Sequence, residues 1–194
     1  MIHPEDSVYR VLLVSSSAKF NQTVSPLLSS PRYPSVTMAA SASEAGRRLL
    51  EESFDIVIVN APLPDETGTR LALDACEGGA SVLLLVRAEY YPELEARVSA
   101  CGVLILSKPT SLQLVSQSLG LLCATRERLR RMEQKTATIE EKMAEIRLVN
   151  RAKWLLIERV GMTEPDAHRY IEKAAMDRCI TKRAVAESIV KTYR

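Results

Sequence analysis

The segment FDIVIVNAPLPDETG, residues 54–68, holds a short apolar run that stops abruptly at Asn60 and passes into a proline-rich loop. Runs of the same kind recur along the first half of the chain: VLLV at 11–14, VTMA at 36–39, DIVIV at 55–59, SVLLLV at 81–86 and GVLIL at 102–106. Between them lie FNQTVSPLLSS, SEAGRRLLEES, TRLALDACEG and YPELEARVSA, whose apolar residues return every three or four positions. Short continuous apolar runs fit buried strands, and the intervening periodicity fits helices that cover a sheet. Five buried strands alternating with helices imply an α/β fold, a doubly wound five-stranded parallel sheet. In that architecture ligands and chemistry sit at the carboxyl ends of the strands.

Working outward, the segment from Ser111 to Arg159 contains no proline and only one glycine, Gly120, so one long helix or two closely joined helices can run through it. Leu112, Val115, Leu119 and Leu122, then Met132, Ile139, Met143 and Ile146, follow alternating three- and four-residue steps, the pattern of a coiled-coil seam. Arg126 and Thr136 interrupt it. A parallel homodimer is the leading expectation, and a helix folded onto its own N-terminal domain is the alternative.

The last forty-odd residues read as three short helices. Gly161 ends the first, Thr163 to Asp166 is a capping-box type start for the second, and Thr181 is an N-cap for the third. Helices this short bury little alone and need an oligomer or a supporting domain. The expected division is 1–122 for the α/β domain, 123–149 for the linker helix and 150–194 for the helical bundle.

Charge follows the same division. Residues 1–125 hold 9 Lys and Arg against 13 Asp and Glu, a net −4, whereas residues 126–194 hold 17 against 11, a net +6. A basic C-terminal part suits a polyanionic partner. The four cysteines, Cys76, Cys101, Cys123 and Cys179, lack C-x-x-C spacing, so neither a zinc site nor a disulfide framework is expected. No Gly-rich phosphate loop, paired His ligands or Ser/His/Asp constellation is visible, and the two histidines are His3 and His168. An enzyme is therefore not expected, nor any cofactor or metal. No apolar run is long enough to span a bilayer and the N-terminus is acidic, so a cytoplasmic protein is expected.

Over about residues 8–122 the chain resembles the receiver domain of bacterial response regulators, through FDIVIVNAPLPDETG and LSKPTS (106–111). The resemblance implies an acidic pair after strand one that holds Mg²⁺, a phosphate-accepting aspartate after strand three, a Ser/Thr after strand four and a lysine after strand five. Here Ser15 and Ser16 stand at the acidic pair, Asn60 at the phosphoacceptor and Val86 at the hydroxyl position; only Lys108, followed by Pro109, matches. Phosphoryl transfer to a carboxylate needs an anionic nucleophile and a divalent cation, and an amide with two serines supplies neither. The domain is thus expected to be a pseudo-receiver. Lys108 is expected to hydrogen-bond Asn60 or loop carbonyls, and a cis Lys108–Pro109 bond fits the turn.

Residues of about 139–193 resemble an ANTAR domain, the RNA-binding module of bacterial transcription antiterminators, most specifically in AHRYIEKAAMDRCITKRAVAESIV (167–190). The resemblance places Ala167, Tyr170, Ile171, Ala175, Met176, Val185 and Ala186 at packing positions, and Trp154 is likewise expected in the bundle core. Arg151, Lys153, Arg169, Lys173, Arg178, Lys182 and Arg183 are the expected RNA-binding residues, since lysine and arginine dominate phosphate contacts. Of His168 and Tyr170, one is expected to stack on an unpaired base and the other, Tyr170, to be core. Cys179 and Ile180 depart from the family pattern, where basic or polar residues are frequent. The implied function is transcription antitermination by a dimer that binds RNA hairpins, with a regulatory protein or the transcription machinery as a further partner. The alternatives are a protein-interaction module or, because three small basic helices also describe helix-turn-helix domains, a DNA-binding regulator.

Overall fold

The computed structural model describes residues 7–193, so His3 and the acidic N-terminal residues lie outside the described residues. The chain forms two compact units, residues 1–130 and 131–194. In the first, β1 (Arg10–Val14), α1 (Ala18–Leu28), β2 (Ser35–Ala39), α2 (Ala42–Glu51), β3 (Ile56–Asn60), α3 (Thr69–Glu77), β4 (Ser81–Arg87), a single 3₁₀ turn, α4 (Tyr91–Ser99) and β5 (Leu104–Lys108) alternate. The strands are all parallel, in the order β2-β1-β3-β4-β5. This is the doubly wound sheet expected from the apolar runs.

Both faces of the sheet are covered because alternate residues of each central strand point to opposite sides. Leu12, Val14, Val57, Val59, Leu84 and Val86 meet α2, α3 and α4 on one face. Val11, Leu13, Ile56, Ile58, Leu83 and Leu85 meet α1 and the start of the long helix on the other. One expectation fails at the edge. β2 was read as buried, yet Val36 and Met38 are 37% and 51% exposed, because an edge strand has a neighbour on one side only.

The loop after β3 depends on Gly68, whose φ of +83° caps the start of α3 and whose missing side chain would meet Val59 Cγ1 at 3.0 Å. Only glycine meets both demands at low cost.

Helix α5 runs unbroken from Leu112 to Val160, 49 residues. Its first turns are part of the receiver-like unit: Val115, Leu119, Leu122 and Cys123 are buried against the sheet. The N-terminal half of the proposed seam is therefore domain core, not a free coiled-coil face. Arg126, an oddity on a hydrophobic seam, sits 3.3 Å from Asp55, and the compact unit continues past Leu122 to Arg130. Further along, Met132, Ile139, Met143 and Ile146 are 51–59% exposed and repeat along one side of the helix.

In the second unit the end of α5 packs with α6 (Glu164–Asp177) and α7 (Lys182–Thr192). Gly161, at φ +73°, ends α5, while Thr163 and Thr181 accept backbone N–H groups from Asp166 and Ala184 as N-caps. Ala152, Ala167 and Ala186 are fully buried beside Leu156, Ile171, Val185 and Ile189. Small side chains at those positions let the three helices approach closely. Burying Leu156 and Ile171 stabilises the bundle by about 2 kcal/mol each in transfer free energy.

Candidate receiver-like site and nucleic-acid interface

The carboxyl ends of β1, β3 and β5 bring Ser15, Asn60 and Lys108 into one hydrogen-bonded row. Asn60 Nδ2 donates to Ser15 Oγ at 3.0 Å, and Lys108 Nζ donates to Asn60 Oδ1 at 2.8 Å and to the Ala61 carbonyl. Ser15 Oγ also accepts from Ser17 N at 3.2 Å. The amide suits this row because it donates on one side and accepts on the other, which an ionised carboxylate cannot do. Burial first, and the nearby Arg87 second, lower the Lys108 pKa. Lys108–Pro109 is cis, as is Ala61–Pro62, which nothing in the sequence reading singled out. Val86 is buried and Ser16 is exposed at the rim.

The two acids of the following loop turn elsewhere. Asp65 accepts from the backbone N–H of Ala42 and Ser43, both at 2.9 Å, and from Ser43 Oγ at 2.8 Å, and these bonds, led by Ser43, lower its pKa to about 2. Glu66 accepts from Leu71 N at 3.2 Å at the start of α3. Neither replaces the absent metal-binding pair. Among the described residues no group of three or more His, Cys, Asp or Glu could hold a metal ion, and no helix is long and apolar enough to cross a membrane.

The bundle divides the expected RNA-binding residues into two sets. Lys153 pairs with Glu164 at 2.9 Å, Lys182 with Glu172 at 2.6 Å, Arg183 with Glu187 at 3.1 Å and Arg169 with Asp166 at 3.6 Å. Lys153 and Lys182 lower the pKa of Glu164 and Glu172 through these bonds. Arg151, Lys173 and Arg178 are exposed and carry no ion pair among the described residues. They are the cations most available to an external anion.

Three aromatic or thioether side chains depart from the packing expectation. Trp154 is 63% exposed, Tyr170 44% and Met176 77%, so none is bundle core. Ala152, Leu156, Ala167, Ile171 and Ala175 already fill the interior, and the helical period turns the other three outward. His168 is exposed as well and lies 3.4 Å from Glu172. Trp154 shares its side of α5 with Arg147 and Arg151, seven and three residues earlier. On α6, Arg169, Lys173 and Met176 form a second outward stripe next to Tyr170. The helical spacing of Trp154 from the buried Ala152 and Leu156 was the signal that could have placed it outside. Cys179, at φ +50°, stands in the left-handed turn between α6 and α7, and Ile180 is 42% exposed.

A receiver-like fold and a small helical bundle with exposed cations thus stand in one chain. Residues 137–190 match the ANTAR domain family, and this part of the chain is an ANTAR domain. Along almost its whole length the chain is similar to the transcriptional regulatory protein PdtaR of Mycobacterium tuberculosis, 29% identical over 184 residues, 94% of this chain and 90% of that protein. It also matches the aliphatic amidase regulator of Pseudomonas aeruginosa, 38% identical over 52 residues, 27% of this chain and 26% of that protein. A CheY-like response regulator receiver domain from Methanospirillum hungatei shares the fold at a TM-score of 0.56 and 21% identity, over 63% of this chain and 98% of that one. These relatives are regulators rather than enzymes.

Proposed function

We propose that the protein is a transcription antiterminator that binds hairpins in nascent RNA as a dimer and is not switched by aspartyl phosphorylation. The carrying observation is that Arg151, Lys173 and Arg178 are exposed with no ion pair among the described residues, while Trp154 and Tyr170 are exposed on the same helices as Arg151 and Lys173. Cations supply phosphate contacts, and exposed aromatic rings supply stacking for unpaired loop bases. The ion-paired Lys153, Arg169, Lys182 and Arg183 contribute less, because RNA must displace a carboxylate to reach them.

The exposed row Met132, Ile139, Met143 and Ile146 supports pairing with a second copy through α5. Two bundles on one dimer suit two neighbouring hairpins, since linking two weak sites raises avidity. The row Ser15–Asn60–Lys108 supports a receiver-like unit that is not covalently phosphorylated there: it contains no carboxylate to accept a phosphoryl group.

Binding to paired RNA hairpins over a salt series, with duplex DNA as control, tests the reading. Affinity is expected to fall steeply with salt, and Lys173→Glu or Arg178→Glu should abolish most of it while reducing the salt slope by about one per residue. Equal weak binding to RNA and DNA, unaffected by either substitution, would sink it.

A further inference from the structure

Cations, and no carboxylates, line the cleft at the receiver-like site. The cleft beside β1, β3 and β4 has a volume of about 500 Å³, and Lys19, Arg87 and Lys108 all line it. No lining residue is acidic. Among the described residues Lys108 is held by neutral acceptors, Asn60 Oδ1 and the Ala61 carbonyl. Arg87 lies close enough to disfavour the charged form of Lys108, so the two cations share the same space. The partner of Arg87 among the described residues is Glu89, at a loose 3.6 Å with both side chains about 60% exposed. Lys19 has no ion pair among the described residues. Asp65 and Glu66, the acids nearest in sequence, are occupied at the starts of α2 and α3.

Three converging cations with no carboxylate in the lining suit a dianion. The Ser16 hydroxyl adds a donor at the rim, and the cleft is in the size range of small-molecule sites. Phe20 and Pro62 give it an apolar wall that an inorganic ion would leave uncovered. We propose that this cleft binds the phosphate group of a small phosphomonoester without covalent transfer, Lys108 and Arg87 clamping the oxygens and Phe20 with Pro62 covering the organic part. The ligand would take the place that a covalent phosphate cannot occupy here, giving the receiver-like unit a chemical input. The inference rests on the reading that Asn60 accepts no phosphate.

Isothermal titration of the full chain with phenyl phosphate, and separately with inorganic phosphate, tests it. One saturable site is expected for phenyl phosphate, with a dissociation constant on the order of 1 mM or tighter. Lys108→Gln and Arg87→Gln should each weaken it about tenfold or more, as loss of a charge-assisted hydrogen bond does. Arg87 is exposed, so its substitution keeps the fold even if that of Lys108 does not. Lys191→Gln, on α7, should leave the affinity unchanged. Phenyl phosphate binding tighter than inorganic phosphate supports an organic phosphomonoester, whereas equal affinity overturns that part in favour of the free ion. Absence of saturable binding, or binding lost with Lys191→Gln or kept in Arg87→Gln, overturns the site. Intact mass measured in the same samples separates the two readings: a phosphoryl adduct would refute the non-phosphorylated site, and an unchanged mass with no heat of binding would refute only the cleft.

Discussion

Arg130 donates to Asp55 Oδ1 across 2.7 Å, tying α5 to the residue that precedes β3. Arg126 reaches the same oxygen at 3.3 Å, and Arg10 N donates to Asp55 Oδ2 at 2.9 Å. One carboxylate thus joins β1, β3 and α5. Arg130 also lies over the ring of Tyr9, 5.3 Å from its centroid. Removing one member of a mostly buried ionic cluster leaves the others uncompensated, so Asp55→Ala should destabilise the receiver-like unit by about 3 kcal/mol. Urea unfolding followed by circular dichroism checks this, and a loss under about 0.5 kcal/mol, the range of neutral surface substitutions, would contradict the role assigned to Asp55.

Asn60→Asp should not restore phosphorylation. The substitution supplies a nucleophile beside Lys108 but leaves Ser15 and Ser16 where a divalent ion needs carboxylates. Incubation with acetyl phosphate and Mg²⁺ should give no mass gain in either the natural chain or the variant. A gain in the variant alone would show that the amide was the sole block.

The pH dependence of Asp65 follows from its cap on α2. Its folded pKa, about 2, lies below the ordinary carboxylate value, so its contribution is complete above about pH 4 and is lost as pH falls through about 2. Asp65→Asn should therefore lower Tm relative to the natural chain near neutrality, with the difference closing as pH approaches about 2. A difference that stays constant across the acid range would show that charge plays no part in the cap.

The exposed row on α5 predicts an oligomeric state. Ile139→Glu combined with Met143→Glu places charges where two helices would meet and should convert a dimer to a monomer, measured by light scattering after gel filtration. RNA affinity should drop with it for a two-hairpin probe and stay level for a single hairpin. A chain already monomeric without the substitutions would remove the dimer from the reading.

Trp154→Ala should weaken hairpin binding by about 1–3 kcal/mol, the range for a base stacked on an aromatic ring, and leave Tm nearly unchanged because the side chain is 63% exposed. A large fall in Tm with unchanged RNA affinity would return Trp154 to a packing role.

Much of this molecule was legible residue by residue. The continuous apolar runs VLLV, DIVIV and SVLLLV marked the central strands, because a strand flanked on both sides is buried on both faces. The replacements at Ser15, Asn60 and Val86 were equally visible, since chemistry excludes an amide as nucleophile wherever it points. Burial on α5 was not legible. The same three- and four-residue spacing describes a helix packed on its own sheet and a helix packed on a second copy, and Val115, Leu119 and Leu122 took the first course. Trp154, Tyr170 and Met176 were misplaced for a related reason: hydrophobicity alone favours the interior, but the alanines at 152 and 167 let the helices close until no room was left.

The sequence by itself determined five apolar runs, helices between them, a basic C-terminal segment and a receiver-like site without its acids. Local composition and spacing carry those properties, because hydrophobic period and side-chain chemistry are set before any long-range contact forms. Only the tertiary structure decided which cations remain free of carboxylates, that Asp65 and Glu66 turn to helix starts, and that Lys19, Arg87 and Lys108 meet in one cleft. Those residues come from separate strands and helices, and their distances follow from how the sheet brings distant segments together.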